Sequence, residues 1–263
     1  MPPLTPAELA ALLPPLCELA RRAGAEVLRH YENGFTVRAK ADDTPVTEAD
    51  EAAEAIILPA LAPLLPGVPA ISEEESAAGQ SPALNGARFW AVDPLDGTKE
   101  FIKRTGEFSV NIGLIDGGRP VLGVIYAPVT RMLYAAAGPG TAFRQRDGDA
   151  AEPIHARAVP ADGMVVLASR SHDNDNALRD RLAALTVRER RKMGSSLKFC
   201  MIAEADADIY LRMGPTSEWD TAAGQAILEA AGGSVTRLDG SPMIYGKADE
   251  GYLNPSFIAR GLT

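Results

Sequence analysis

Two carboxylates three positions apart, Asp93 and Asp96, bracket Pro94-Leu95 and are followed at once by Gly97-Thr98. The preceding run Phe89-Trp90-Ala91-Val92 is uninterrupted and apolar, the pattern of a buried strand, so both acids leave a rigid strand end through a tight turn. Two aspartates aimed into one small volume repel each other unless a cation lies between them. An oxygen-only donor set suits a hard cation, and Mg²⁺ needs few carboxylates and leaves positions for water and phosphate. Gly97 lets the backbone approach a ligand closely. Thr98 puts a hydroxyl at the start of a short helix, where free N–H groups favour an anion. Taken alone, the same letters also read as an Asp-Pro turn followed by an Asp-Gly turn, which is ordinary loop punctuation.

Further acids at comparable places decide between these readings. Glu73 follows the short strand Val68–Ser72, Asp220 follows Trp219 at a helix start, and Asp50 lies in the first turn opened by Thr47-Glu48-Ala49-Asp50. Each has a plain explanation by itself: a solvated acidic run at Glu73-Glu74-Glu75, a helix cap at Asp220, a dipole-favoured acid at Asp50. Together, acids at so many element boundaries read as one acidic pocket for two or more metal ions.

The elements that must position these acids can be followed along the chain. Thr5-Pro6-Ala7-Glu8 is a capping box with proline at the first helical position. Pro14-Pro15 is expected to interrupt that helix, and a longer one follows with Leu16, Leu19, Ala20, Ala23, Val27 and Tyr31 on one face before Asn33-Gly34 ends it. Residues 42–46 read as a loop. The helix after Thr47 has an apolar face of Ala52, Ala53, Ile56 and Ile57, disturbed by Pro59 and Pro63. Residues 76–87 read as an exposed loop, and residues 108–145 as strands and hairpins in a mainly antiparallel sheet. Beyond this, strand and helix alternate, as in an α/β layer. The expected elements are a strand Val165–Ala168 ending in Ser169-Arg170-Ser171-His172, a helix over 174–185, a helix from Met193-Gly194-Ser195-Ser196, a strand Asp208–Leu211, a helix from Trp219 to Gly232-Gly233, and a strand Ser234–Leu238. Two tightly packed halves follow: 1–145, with most of the acids, and 146–263, with Asp220.

Bulk properties narrow the chemistry. The 263 residues are 46% hydrophobic and 23% charged, as in an ordinary globular protein. The net charge of −9 argues against binding polymeric nucleic acid or anionic lipid, so an anionic substrate needs locally placed cations. Cys17 and Cys200 lack metal-ligand spacing, no Gly-x-Ser-x-Gly occurs, and the three histidines do not cluster, so nothing points to a covalent nucleophile. With no apolar run of about 18 residues, a cytoplasmic protein without an integral membrane segment is expected.

Ser72-Glu73-Glu74, Asp93-Pro94-Leu95-Asp96-Gly97-Thr98 and Trp219-Asp220-Thr221-Ala222-Ala223-Gly224 together resemble the inositol monophosphatase family of Mg²⁺-dependent, lithium-sensitive phosphatases. The resemblance is nearer to its bacterial 3'(2'),5'-bisphosphate nucleotidases. It rests there on Asp43-Thr44-Pro45-Val46-Thr47, on Asp93 through Arg104, and on Gly194-Ser195-Ser196-Leu197-Lys198-Phe199-Cys200. Inositol phosphatases usually carry Thr-Asn-Phe where this chain has Lys99-Glu100-Phe101, and lack a lysine equivalent to Lys198.

The resemblance implies a layered α-β-α-β-α fold, an α+β sandwich of the inositol monophosphatase and fructose 1,6-bisphosphatase type. It implies two or three Mg²⁺ ions, one held by Glu73, Asp93 and the Leu95 carbonyl and a second by Asp93, Asp96 and Asp220, with Asp93 bridging. Thr98 and Asp50 would orient and deprotonate the attacking water beside Glu73, while Gly97 and Thr98 cradle the departing phosphate. Asp220, Ser195, Lys198, His172 and Arg170 would face the substrate, with Lys198 near its non-reacting phosphate. The implied reaction is in-line attack of a metal-activated water on the 3'-phosphate of adenosine 3',5'-bisphosphate (PAP, or its sulfated relative PAPS), giving AMP and phosphate in sulfur metabolism. Inositol monophosphate or fructose 1,6-bisphosphate hydrolysis is the alternative with the same metal chemistry. Oligomeric state and peripheral association with the inner membrane stay open.

Overall fold

The computed structural model describes residues 2–40, 44–84, 88–170, 181, 183 and 185–262. Helix α1 (Pro6–Asn33) begins at the Thr5 capping box, with Thr5 N–H donating to Glu8 Oε2 at 2.7 Å and Glu8 N–H to Thr5 Oγ1 at 3.3 Å. The expected break at Pro14-Pro15 does not occur, and α1 runs through both prolines. A proline inside a helix costs ~3 kcal/mol or more. However, Leu9, Leu12, Leu16, Leu19 and Val27 are all buried, at ~1.5–3 kcal/mol each, and packing outweighs the two lost donors. Helix α2 (Glu48–Leu61) likewise continues through Pro59 and stops before Pro63. Of the segment expected to be a loop at 42–46, residues 42–43 lie outside the described residues and 45–46 are strand instead: β1 (Val37–Ala39) pairs antiparallel with β2 (Pro45–Thr47).

A seven-stranded sheet runs in the order β3 (Ala70–Ser72), β4 (Arg88–Asp96), β5 (Ser109–Asp116), β6 (Arg119–Ala127), β7 (Met132–Ala137), β8 (Phe143–Arg146), β9 (Glu152–Pro153). Only β3 and β4 are parallel. Helices α1 and α2 bury their apolar stripes on one face against Trp90, Val92, Ile112 and Val124. Short helices α3 (Glu73–Ala77) and α4 (Thr98–Ile102) leave the ends of β3 and β4.

The other face carries the helix Ala222–Ala230, backed by the helix Leu197–Ala203. A five-stranded sheet follows: β11 (Val187–Met193), β10 (Met164–Ser169), β12 (Ile209–Arg212), β16 (Phe257–Arg260), β14 (Ser234–Arg237), with a short pair β13 (Thr216–Ser217) and β15 (Leu253–Asn254) beside it. One core joins the two sheets, from Ile71 and Phe89 through Phe199 and Ile227 to Phe257. This is the layered α+β arrangement expected. The helix expected over 174–185 falls largely outside the described residues.

Two strands of the five-stranded sheet were not anticipated. β11 is an edge strand of sequence VRERRKM, whose charges erase the alternation by which strands are read. It also delays the next helix from Met193 to Leu197. β16 lies between β12 and β14 and is antiparallel to both. The helix expected from Trp219 starts at Ala222, because residues 218–221 form a turn in which Thr221 N–H and Ala222 N–H both donate to Glu218 O.

The helix Ala222–Ala230 lies so close to the seven-stranded sheet that a Cβ on Gly123 would meet Ala223 O at 2.3 Å, and one on Gly113 would meet the Ala222 Cβ at 2.9 Å. Glycine at these two strand positions allows the turn bearing Asp220 to reach the strand bearing Asp93.

Candidate metal and phosphate site

Parallel pairing sets β3 and β4 in register with Ser72 opposite Val92, so the next residues, Glu73 and Asp93, emerge side by side at one sheet edge. Asp220 arrives from the turn before the helix Ala222–Ala230. One carboxylate oxygen from each of Glu73, Asp93 and Asp220 lies within 4.8 Å of the other two. Asp93 is buried, and its Oδ1 accepts from Leu95 N–H at 3.0 Å. Burial pushes the Asp93 carboxyl well above the usual carboxylate range, with Glu73, Asp96 and Asp220 adding like-charge repulsion. Burial, then Asp96 and Glu73, pushes Asp220 up to about 7. Three converging oxygen donors, two of them on carboxylates whose charge is this poorly tolerated, fit a hard divalent cation.

Asp96 is turned differently. Its Oδ2 accepts from Ser196 N–H and from Asn111 Nδ2, the latter at 3.2 Å, which ties β4 to the start of the helix Leu197–Ala203. It lies outside the three-oxygen group but close enough to act on the charge of both Asp93 and Asp220. The Leu95 carbonyl is buried and accepts from Thr98 Oγ1 at 3.2 Å.

The capping box at Thr47 accounts for Asp50. Thr47 N–H and Oγ1 donate to Asp50 Oδ2 at 2.8 and 2.6 Å, which leaves Oδ1 to receive Thr98 Oγ1 at 3.2 Å. Burial raises the Asp50 carboxyl to about 6, partly offset by the Thr47 hydrogen bonds. Gly97 has φ +96°, where a side chain is strained, and its added Cβ would meet Glu107 O at 2.9 Å.

A cleft beside these acids is lined by Gly97, Lys99, Lys198 and Arg212, together with Asp96 and Asp220. The carboxyl ends of the parallel strands β10, β11 and β12 open onto it, the usual place for a ligand on such a sheet. Lys198 is buried, with its Nζ donating to Ser195 O and, at 3.3 Å, to Met193 O, and standing 4.9 Å from the Tyr210 ring centroid. Burial pulls its ammonium down to about 8, against the attraction of Asp96.

Ser195 lines the cleft at φ +60°, with its hydroxyl 2.6 Å from Ser109 Oγ. Arg170 forms a two-pronged pair with Glu107, with Nε 2.6 Å from Oε2, and the same Oε2 accepts Gly194 N–H at 2.9 Å. His172 lies outside the described residues.

Sequence reasoning missed Lys40, whose Nζ contacts Glu73 and Glu74. It also missed Asn111 and Ser109, which organise Asp96 and the serines, and Arg212, which stands at the end of β12. Arg212 was within reach, because it ends a strand neighbouring the one that ends in Ser169-Arg170. The others depend on pairings between distant strands.

A sequence profile described as the inositol monophosphatase family matches residues 8–261. The 3'(2'),5'-bisphosphate nucleotidase CysQ of Escherichia coli strain K12 is 46% identical over 248 residues, covering 94% of this chain and 98% of its own. The crystal structure of CysQ from Bacteroides thetaiotaomicron superposes with a TM-score of 0.76 at 37% identity, over 93% of this chain and 95% of that one. An inositol monophosphatase from Anabaena superposes with a TM-score of 0.75 at 29% identity, over 97% and 92%.

Proposed function

This chain belongs to the inositol monophosphatase family, and we propose that it is the 3'(2'),5'-bisphosphate nucleotidase of that family, removing the 3'-phosphate of adenosine 3',5'-bisphosphate to leave AMP and phosphate. The observation that carries the choice is the buried Lys198 in the cleft that Asp220 of the acidic trio lines together with Asp96, with Arg212 in the same lining. A monophosphate brings no second anion to these cations, whereas a bisphosphate does. A charge-assisted contact of this kind is worth about 1.5–3 kcal/mol.

Glu73, Asp93 and Asp220 are the residues that hold metal, with the Leu95 carbonyl and Asp96 next to them; Mg²⁺, as two or three ions, is the cofactor we assign. Bound there, a divalent cation offsets phosphoryl charge and makes water a better acid. The chain's own groups do the rest. Thr98 Oγ1 takes a proton from the attacking water as it passes its own to Asp50 Oδ1, the carboxylate oxygen that Thr47 leaves available. The water oxygen bonds to phosphorus in line with the departing 3'-oxygen, the P–O3' bond breaks, and the 3'-oxygen takes a proton from solvent water as AMP leaves. Gly97, with no side chain, lets the backbone close on the phosphate. Lys198, Arg212 and Ser195 line the wall that receives the remainder of the nucleotide, which fixes its orientation before reaction. Among the described residues no helix is long and apolar enough to cross a membrane.

The test is kcat/KM for adenosine 3',5'-bisphosphate, inositol 1-phosphate and fructose 1,6-bisphosphate with Mg²⁺ present. The bisphosphate nucleotide is expected to lead, with AMP as product. Rapid hydrolysis of inositol 1-phosphate with the nucleotide left intact would overturn the assignment.

A further inference from the structure

Of the three clustered carboxylates, Asp220 alone is carried by a turn. Asp93 belongs to β4 and Glu73 follows β3 in register, but residues 218–221 have no ladder or helix of their own to fix them. What holds this turn is a buried polar network from the segment 244–254. Glu218 is fully buried, and its Oε1 pairs with Lys247 Nζ at 2.5 Å, the lysine side chain being 9% exposed. The same carboxylate accepts Gly246 N–H at 2.7 Å and Lys247 N–H at 3.0 Å.

Lys247 Nζ also donates to Ile244 O and to Asn254 Oδ1, the latter at 2.8 Å. Asn254 Nδ2 donates to Thr221 Oγ1 at 2.7 Å, and Thr221 Oγ1 donates to Glu218 O at 3.2 Å, closing a ring around Asp220. Glu218 N–H donates to Tyr252 O at 2.8 Å, and β13 pairs with β15 with Thr216 opposite Asn254. Residues on both sides of Asp220, Glu218 and Thr221, are therefore anchored to one segment. Its own Oδ2 is met by Thr216 Oγ1 and Ser217 N–H.

We propose that the buried Glu218–Lys247 pair, relayed through Asn254 to Thr221, is a positioning device that presents the Asp220 carboxylate to a divalent cation. None of these four residues belongs to the acidic trio; they act through Asp220. A buried ion pair is weak evidence for stability in itself, and its best-attested use is to fix one arrangement among several. Here that arrangement is the one in which a turn residue meets two strand-borne carboxylates. The inference rests on reading Asp220 as a cation ligand.

The experiment titrates Mn²⁺ into the full chain, reads free ion by electron paramagnetic resonance, and separately records the metal-free melting temperature. Lys247→Met is expected to bind Mn²⁺ roughly tenfold more weakly than the unsubstituted chain, with KM for adenosine 3',5'-bisphosphate at saturating Mn²⁺ within about twofold. Lys247→Arg, which keeps the charge, is expected to restore binding to within about threefold. Asn254→Ala cuts the relay while leaving the ion pair whole and carries the same expectation, so it decides the matter if Lys247→Met does not fold. Wild-type Mn²⁺ affinity in folded Asn254→Ala or Lys247→Met, whatever the melting temperature, overturns the proposal and leaves the network a merely structural one. Absence of Mn²⁺ binding in the unsubstituted chain removes the cation site itself and this inference with it.

Discussion

Lys40 Nζ stands 2.6 Å from Glu73 Oε1 and 2.8 Å from Glu74 Oε1, so an ammonium group rests on a carboxylate of the acidic trio. The Lys40 side chain is 8% exposed, and it follows β1, the strand that pairs with the one leading to Asp50. A metal ion bound at the trio would compete with this cation for Glu73. In Lys40→Met the metal-free protein loses one partner of a nearly buried pair, a cost of about 3 kcal/mol, and its melting temperature is expected to fall by roughly 5 °C. The rise in melting temperature on adding Mg²⁺ is expected to be larger than in the unsubstituted chain, because the competitor has gone. Calorimetry with and without Mg²⁺ checks both signs; an unchanged Mg²⁺ increment would show that Lys40 does not compete.

Asp93→Asn removes the charge at the most buried member of the trio. Turnover is expected to fall by roughly 10³ or more, read as phosphate released at saturating Mg²⁺. The metal-free protein is expected to gain stability. A carboxyl whose folded pKa is raised contributes stability that is lost as pH climbs from the unfolded value through the folded one. Asparagine removes that loss, so the gain in melting temperature should be larger at pH 8 than at pH 5. Near-normal kcat would contradict the central place given to Asp93.

Lys198 makes a prediction about substrate choice and about pH. Lys198→Met should lower kcat/KM for adenosine 3',5'-bisphosphate by roughly 10- to 100-fold, while a monophosphate without the second anion changes by less than about threefold. Asp96, Glu100 and Glu107 attract its ammonium, Arg212 opposes it, and burial brings it down to about 8. Its charged form therefore declines as pH rises past 8, so KM for the bisphosphate is expected to climb above that pH in the unsubstituted chain and stay flat in Lys198→Met. Equal losses on both substrates would remove Lys198 from the specificity argument.

What could be read from the chain, and what could not, follows from the range of the interactions. The Thr47–Asp50 capping box is local, so its letters announce the helix and hold the carboxylate that meets Thr98. The β4 strand is buried over nearly its whole length, so its continuous apolar run places Asp93 and Asp96 at its end. The meeting of Glu73 with Asp93 depends on a parallel register between strands some twenty residues apart, which composition does not encode. Lys40 was invisible for the same reason. β11 was missed because an edge strand that protects itself with charge looks like a loop. The prolines of α1 misled because local propensity was weighed without the sheet against which the helix packs.

Arg170 poses the last question, because a guanidinium near the cleft has two possible employments. Its fork is fully engaged with Glu107, and Glu107 in turn holds Gly194 N–H at 2.9 Å, at the start of the loop that carries Ser195 and Ser196. Gly194 has no room for a side chain there: an added Cβ would meet Glu107 O at 2.9 Å and Glu100 Cγ at 2.6 Å. The arrangement favours a role through Glu107, with Arg170 fixing the carboxylate that fixes the loop. On that basis Arg170→Met and Glu107→Gln loosen the same contact and should raise KM for the bisphosphate by similar factors, within about threefold of one another, with kcat little changed. If Arg170 instead grips the substrate's second phosphate, Arg170→Met alone should raise KM, and Glu107→Gln, by releasing the guanidinium, should lower it. Steady-state KM for the two variants measured side by side separates the cases, because the sign of the Glu107→Gln effect differs between them.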